Sequence, residues 1–506
     1  MYWLNSTADP ADNGEGDVQS FFDGHKALRI SFLIGTVVFY LAFTYTKRVY
    51  FHPLSGIPGP SLAAATQFYE GYFNIFREGF CQKFLSLHKE YKSPVVRIGT
   101  NHVHIGDPAY YHTIHNPGPK YAKAPGLYKK LGINGALLTI TEPDRHKTYH
   151  STVNQLFSRR SSDDLQPKMA AEVLRAADLM ALQGKAGEHC VIQRVYRALA
   201  ADMTALLMFG DTLGFIDSPH YADHYHQFMN NVDRYSVLLW PNVLGLGFAE
   251  FDKAFDRWLE KENEIQKSGK EPEGTKKFLG LMFDWKKSIG ESFNAEEIFE
   301  DSFNYMTAGM DGNGHVLSFV TWSILTNPDV KAKLEKELRE ARQYIREFNH
   351  RRIMALPYLT AVLKESLRLA NTAPAGLPRE VPQQGVNMGG YHIPAGTMIT
   401  ICHPVVERNE NIFPDPLKFD PERWLGEDSS ALEKWLVAFS KGRRQCIGKN
   451  IAWMLLYTNV AVFFDRFEME IYETNIEDMF VVDLFAPRRR APIKVRVLKD
   501  RWEGLT

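Results

Sequence analysis

The chain has 506 residues, 59 basic against 60 acidic side chains, 44% hydrophobic and 24% charged residues, and four cysteines. The balanced charge excludes an electrostatic case for nucleic acid, and the composition excludes a disordered or many-span membrane chain. So few cysteines exclude a disulfide scaffold, and a length of this order predicts about three domains unless one large unit takes it all.

Residues 1–26 are polar and acidic, with Asp9, Asp12, Glu15, Asp17 and Asp23, and predict a disordered tail. Asn5-Ser6-Thr7 in it is a glycosylation sequon, usable only if the tail is luminal. Residues 27–46 predict a membrane anchor, because Ile30 to Thr46 carry no charge over 17 residues. As a helix that run spans about 26 Å, and Arg29, Lys47 and Arg48 can snorkel to cover the remainder of a roughly 30 Å hydrocarbon core. The acidic start argues against a cleaved signal, and the flanking basic residues slightly favour a cytosolic C-terminal side. Residues 47–60 contain Pro53, Pro58 and Pro60 and predict a stiff hinge. Residues 61–506 then read as one continuous globular unit.

Helical periodicity dominates that unit, notably in the run ending at Gln183 and over Asp252–Lys267, Ala295–Thr326 and Asp329–Tyr344. Strand signals cluster at Val95–Ile105 and Gly390–Cys402, with a late pairing expected between Met469–Glu473 and Ile493–Leu498. The predicted class is mainly α with small segregated sheets, an α+β arrangement.

Cys81, Cys190, Cys402 and Cys446 form no Cys-x-x-Cys pair, so each is read alone. Cys81 and Cys190 sit in helical patterns and Cys402 in a strand, where a free cysteine is usually a small buried hydrophobe. Cys446 differs. It stands just ahead of the helical run KNIAWMLLYTNVAVFF, where free N–H groups and the helix dipole favour a thiolate. Gly442 and Gly448 permit a tight loop around it, and amide-to-sulfur hydrogen bonds would tune an iron centre.

The spacing from Phe439 through Gly442, Arg444 and Cys446 to Gly448 resembles the haem-binding signature of the cytochrome P450 family. Glu365-Ser366-Leu367-Arg368 and the segment Phe419 to Trp424, with Arg423, are similar to two further family motifs in the expected order. The resemblance covers nearly the whole chain and implies a P450 fold behind an N-terminal transmembrane helix. Heme b is implied, with Cys446 as the thiolate ligand of its iron, and a buried Glu365–Arg368–Arg423 network. NADPH electrons are implied to arrive through a cytochrome P450 reductase, with Lys441, Arg443 and Lys449 as a basic docking face. The segment YFHPLSGIPGPSLAAAT looks like fungal microsomal members, in particular the trichodiene-oxygenase-like group, which implies an endoplasmic-reticulum enzyme whose small apolar substrate is a terpenoid.

The sequence departs from that family in three places, the last being Leu455, where many relatives carry an acidic residue. Where relatives carry an acid followed by an alcohol above the haem, this chain reads Ala308-Gly309-Met310-Asp311-Gly312-Asn313-Gly314. Asp311 is expected to deliver protons, while the three glycines predict local opening of the helix. The absent alcohol at Gly312 leaves Asn313, Thr307, an ordered water or a substrate hydroxyl as substitutes. It also keeps alive a redox-neutral rearrangement that needs no reductase; a haem-binding protein without turnover is a third reading. The second departure puts His146 and His150, i and i+4 on one helix, where relatives place haem propionate contacts. Arg379 and Arg444 match such contacts directly. By family position, Gly126–Leu137, Met306, Met310, Ala373–Leu377 and Val482–Phe485 are implied substrate contacts, and no function is attached to Leu455.

Overall fold

The computed structural model describes residues 15–77, 79–115, 121–129, 135–223, 249–269, 276–483 and 487–504. Asn5, the tail up to residue 14, residues 130–134 of the expected substrate loop and residues 484–485 lie outside them.

The first helix, α1, runs Glu15–Tyr50, so residues 15–26 are helical and not the disordered segment the acidic composition suggests. Helix extension adds one hydrogen bond per residue ordered, so a stable apolar helix propagates readily into a polar flank. Its stretch Arg29–Tyr50 is long and apolar enough to cross a membrane and is not buried against the rest of the chain. The segment after it is docked. The Arg97 N–H donates to Pro58 O at 2.7 Å, and Arg97 Nη1 donates to Arg48 O at 3.0 Å. A Cβ on Gly59 would lie 2.1 Å from Arg97 O, so only glycine allows this approach.

Val95–Ile105 forms a hairpin of β1 (Val95–Gly99) and β2 (His102–Ile105), with Val95 opposite Ile105. β3 is His189–Val191, β4 Arg379–Glu380, β5 Val386–Met388, β6 Tyr391–Ile393 and β7 Met398–Thr400. β6 and β7 do not pair around the Pro-Ala-Gly turn between them. β6 pairs antiparallel with β5, while β7 joins β2 in parallel, giving a sheet ordered β1-β2-β7-β4. β8 (Phe467–Ile471) and β11 (Lys494–Asp500) pair antiparallel as expected, with β3 on the other edge of β11. β9 (Val481–Asp483) and β10 (Pro487–Arg489) form a separate pair. Cys190 therefore lies in strand β3, not a helix, and Cys402 follows β7 as a helix N-cap; both are buried.

The helices that position the site are α2 (Pro143–Val153), α3 (Arg159–Lys185), α4 (Ile192–Phe209), α5 (Ala249–Ser268), α6 (Phe278–Ser288) and α7 (Ala295–Leu325). α8 (Pro328–Glu340), α9 (Pro357–Ala370) and α10 (Lys449–Arg466) complete them. α4 packs along the middle of α7. A Cβ on Gly309 would come within 2.4 Å of Thr204 Oγ1, and one on Gly314 within 2.5 Å of Arg197 Cγ. These two glycines bring the helices together. They do not open α7, which is continuous from Ala295 to Leu325.

Candidate haem site

Cys446 closes a short loop whose chain direction is set at Gly442, at φ +73°, a conformation that disfavours any side chain. Its N–H donates to Phe439 O at 2.9 Å, and the Phe439 ring lies 6.0 Å from Trp453 on α10. Gly448 is the N-cap of α10, and its N–H donates to the sulfur. Burial raises the thiol above its ordinary range, and that bond together with nearby Lys449 offsets part of the rise. Cys446 is deep in the molecule yet has exposed surface, so its sulfur faces an internal space. Cys402 is 1% exposed and packed in the apolar core around β1, β2 and β7, which leaves no room for a ligand role.

Arg379, Arg444, His146 and His150 are brought together. They line one cavity of about 410 Å³ with His115, Lys147, Lys441 and Arg443, and no carboxylate is among its lining residues. His146 and His150 stand 5.5 Å apart, ring to ring. Burial, and then Arg444, pull His146 down to about 2 and also lower His150, so both are neutral imidazoles with one N–H to donate. Burial, then Arg379, lowers Arg444 to about 10. The buried Arg379 Nε and His115 Nε2 have no hydrogen-bond partner. Crowded cations with orphaned donors, in a cavity that no carboxylate lines, fit the two propionates of a haem. Sequence reading missed Lys123, which sits over the Tyr128 ring and donates to Leu138 O beside the same cluster. It missed His115 as well; neither residue stands in a recognisable spacing. Arg444 also differs from expectation, since Nη1 and Nη2 hold the carbonyls of Ile140 and Thr141 at 2.7 and 3.2 Å. The His146/His150 pair gathers no third metal-ligating side chain among the described residues.

On α7, Ala308 is exposed and Thr307, Gly309 and Gly312 partly exposed amid buried neighbours, and a Cβ on Gly312 would meet nothing within 4 Å. Asp311 is not a free acid facing that opening. It is ion-paired with Arg197 of α4 at 3.0 Å, both side chains being buried. Asn313 Nδ2 donates back to Gly309 O at 2.7 Å, and the Thr307 hydroxyl donates to Phe303 O and Asn304 O. Both expected side-chain substitutes for the alcohol thus commit donors within their own helix.

Glu365, Arg368 and Arg423 converge as expected. Arg368 donates two hydrogen bonds to Glu365, at 2.7 and 2.9 Å, and donates to the carbonyls of Glu407 and Pro416, both at 2.6 Å. Arg423 Nε reaches Glu365 at 3.1 Å. Two further donors went unforeseen: the Trp424 indole at 2.9 Å and the Asp420 N–H at 3.0 Å.

Residues 63–494 match the sequence profile of the family described as cytochrome P450. The chain is 53% identical to "Cytochrome P450 monooxygenase ankB" of Aspergillus thermomutatus over 490 residues, covering 93% of this chain and 94% of that protein. It is 38% identical to "Cytochrome P450 monooxygenase phqM" of Penicillium fellutanum, covering 89% and 88%. It is 35% identical to "Cytochrome P450 monooxygenase cloA" of Claviceps purpurea (strain 20.1), covering 90% and 93%. A thiolate loop, a cationic cradle and near full-length likeness to these enzymes agree: the chain belongs to the cytochrome P450 family of haem-thiolate monooxygenases, which draw their electrons from a reductase.

Proposed function

We propose that the enzyme oxygenates a small apolar intermediate, a terpenoid, in fungal secondary metabolism while anchored in the endoplasmic-reticulum membrane by Arg29–Tyr50. The observation that carries the chemistry is the pairing of the Cys446 loop with the cationic cavity, which together suit one haem held by sulfur and by its propionates. When bound, that group supplies the activation of dioxygen. Cys446 would hold its iron, the Gly448 N–H would temper the sulfur's charge, and Arg379, His146 and His150 would receive its carboxylates. Lys441, Arg443 and Lys449 form the face offered to NADPH-cytochrome P450 reductase. Ala308 and Gly312 leave space beside α7, and Met306, Met310, Ala373–Leu377 and the described parts of Gly126–Leu137 and Val482–Phe485 are the proposed substrate contacts.

With Asp311 paired to Arg197, and with Thr307 and Asn313 bonded within α7, the proton needed near that space comes from water or from the substrate's own hydroxyl. The same observation favours a second reading, a redox-neutral rearrangement that consumes no electrons. Incubation of the full-length protein with reductase, NADPH, oxygen and panels of terpenoid and non-terpenoid scaffolds separates them. Oxygenated product with NADPH consumed is expected. Product formed without NADPH establishes the rearrangement, and turnover confined to other chemical classes overturns the terpenoid assignment.

A further inference from the structure

Asp301 lies on α7 eleven residues before Gly312, about 16 Å along the helix axis, too far to touch the reacting atoms. It is 1% exposed. A carboxyl at this depth is costly unless it is hydrogen-bonded, so it is a poor choice for packing alone. One oxygen, Oδ1, accepts the N–H of Leu137 at 3.0 Å, and the other accepts the hydroxyl of Tyr149 from α2. Burial drives the carboxyl well above the usual carboxylate range and the Leu137 N–H counters it, so the loop amide is part of what makes this group tolerable there.

The contacts around it form a clasp. Glu297, one turn earlier on α7, lies where a Cβ on Gly135 would come within 2.2 Å of its Cγ, so the chain at Gly135 rests directly on that side chain. Lys286 of α6 binds Glu297 at 2.6 Å, and Arg145 of α2 lies 3.6 Å from it. Trp285 lies against Tyr149, ring centroids 4.6 Å apart and tilted by 57°, and the Arg145 guanidinium sits 5.7 Å from its ring. Residues 135–137 are therefore held by two side chains of α7, which residues of α2 and α6 brace in turn. The same strap continues to Leu138, Ile140 and Thr141, whose carbonyls are held by Lys123 and Arg444 of the cationic cavity. One end is fixed to α7, the other to the cradle.

We infer that Asp301 is a positioning residue for substrate selection: through Leu137 and Tyr149 it sets the 135–141 strap as a wall between α7 and the haem cradle. This rests on the reading of that strap as substrate-facing. Because the wall acts on bulky occupants alone, its loss lowers affinity for a large apolar molecule and spares a small one.

The test uses the full-length holoenzyme and two iron-coordinating probes, imidazole and the bulky apolar azole clotrimazole, followed by their spectral shifts. Asp301→Ala is expected to weaken clotrimazole roughly tenfold, the scale of losing a buried hydrogen bond, with imidazole unchanged. The reduced carbon monoxide adduct should keep its thiolate band, and proteolysis within 135–141 should quicken. Asp301→Asn keeps an acceptor for Leu137 and should restore the wild-type ratio of the two affinities. Tyr149→Phe removes one partner without emptying the core and should shift that ratio in the same direction, by less. A wild-type ratio and wild-type proteolysis in both Asp301→Ala and Tyr149→Phe overturn the inference; if Asp301→Ala yields no thiolate band, a wild-type ratio in Tyr149→Phe alone does so. If the strap is cut faster but both probes bind as in wild type, Asp301 holds a strap that is not a substrate wall, and the inference fails through the reading on which it rests.

Discussion

The three glycines of α7 do different work, and substitution separates them. Alanine at 312 enters open space, so it removes glycine's helix penalty and should stabilise the folded protein by about 0.5–1 kcal/mol. Alanine at 309 or 314 drives a methyl into Thr204 or Arg197 and should destabilise by about 1–3 kcal/mol, as overpacking does. Urea midpoints of the three variants check this opposition of sign. The cysteines separate as cleanly. Cys446→Ser should abolish the thiolate band of the reduced carbon monoxide adduct, whereas Cys402→Ser should keep it at some cost in stability. Cys446 was legible because a glycine-flanked loop and a helix start surround it. The pairing of Asp311 with Arg197 was not, since the two stand more than a hundred residues apart and nothing local announces an ion pair.

Among the elements, α9 and the segment carrying Arg423 depend on a single buried carboxylate. Glu365 receives Arg368, Arg423, Trp424 and the Asp420 N–H, and removing one charge leaves the others uncompensated. Arg368→Ala should cost about 3–5 kcal/mol and prevent recovery of folded holoprotein. Yield of the thiolate band per unit of expressed chain is the measurement, and near-normal yield would contradict the network's role. The Glu-x-x-Arg spacing already places both side chains on one helical face. The strand order β1-β2-β7-β4 was not legible, because a parallel partner some 300 residues distant leaves no periodic trace.

Across the whole molecule, buried neutral histidines tie stability to pH. Burial lowers His350 and His403 each to about 4 from an ordinary 6.5. A folded pKa below the unfolded one means their contribution is complete above pH 6.5 and is lost as pH falls from there towards 4. Asp202, raised to about 6 by burial, works in the opposite sense, so the histidine part must be isolated by substitution. His403→Gln should therefore lose less of its denaturation midpoint than wild type between pH 7.5 and 5. Parallel losses in the two proteins would remove His403 from the acid response.

The sequence by itself determined the thiolate loop, the shared helical face of Glu365 and Arg368 and the apolar helix near the N-terminus, because each is written in local spacing or in one-dimensional composition; the ordered motifs carried the family, and the resemblance implied that Arg423 joins Glu365. Only the tertiary structure decided which cations share the haem cradle, that Asp311 is engaged, that Gly309 and Gly314 are packing contacts while Gly312 is open, and that Asp301 grips a strap. Those outcomes depend on the approach of helices and loops far apart in the chain, and a side chain's partner there is set by packing, which no spacing encodes.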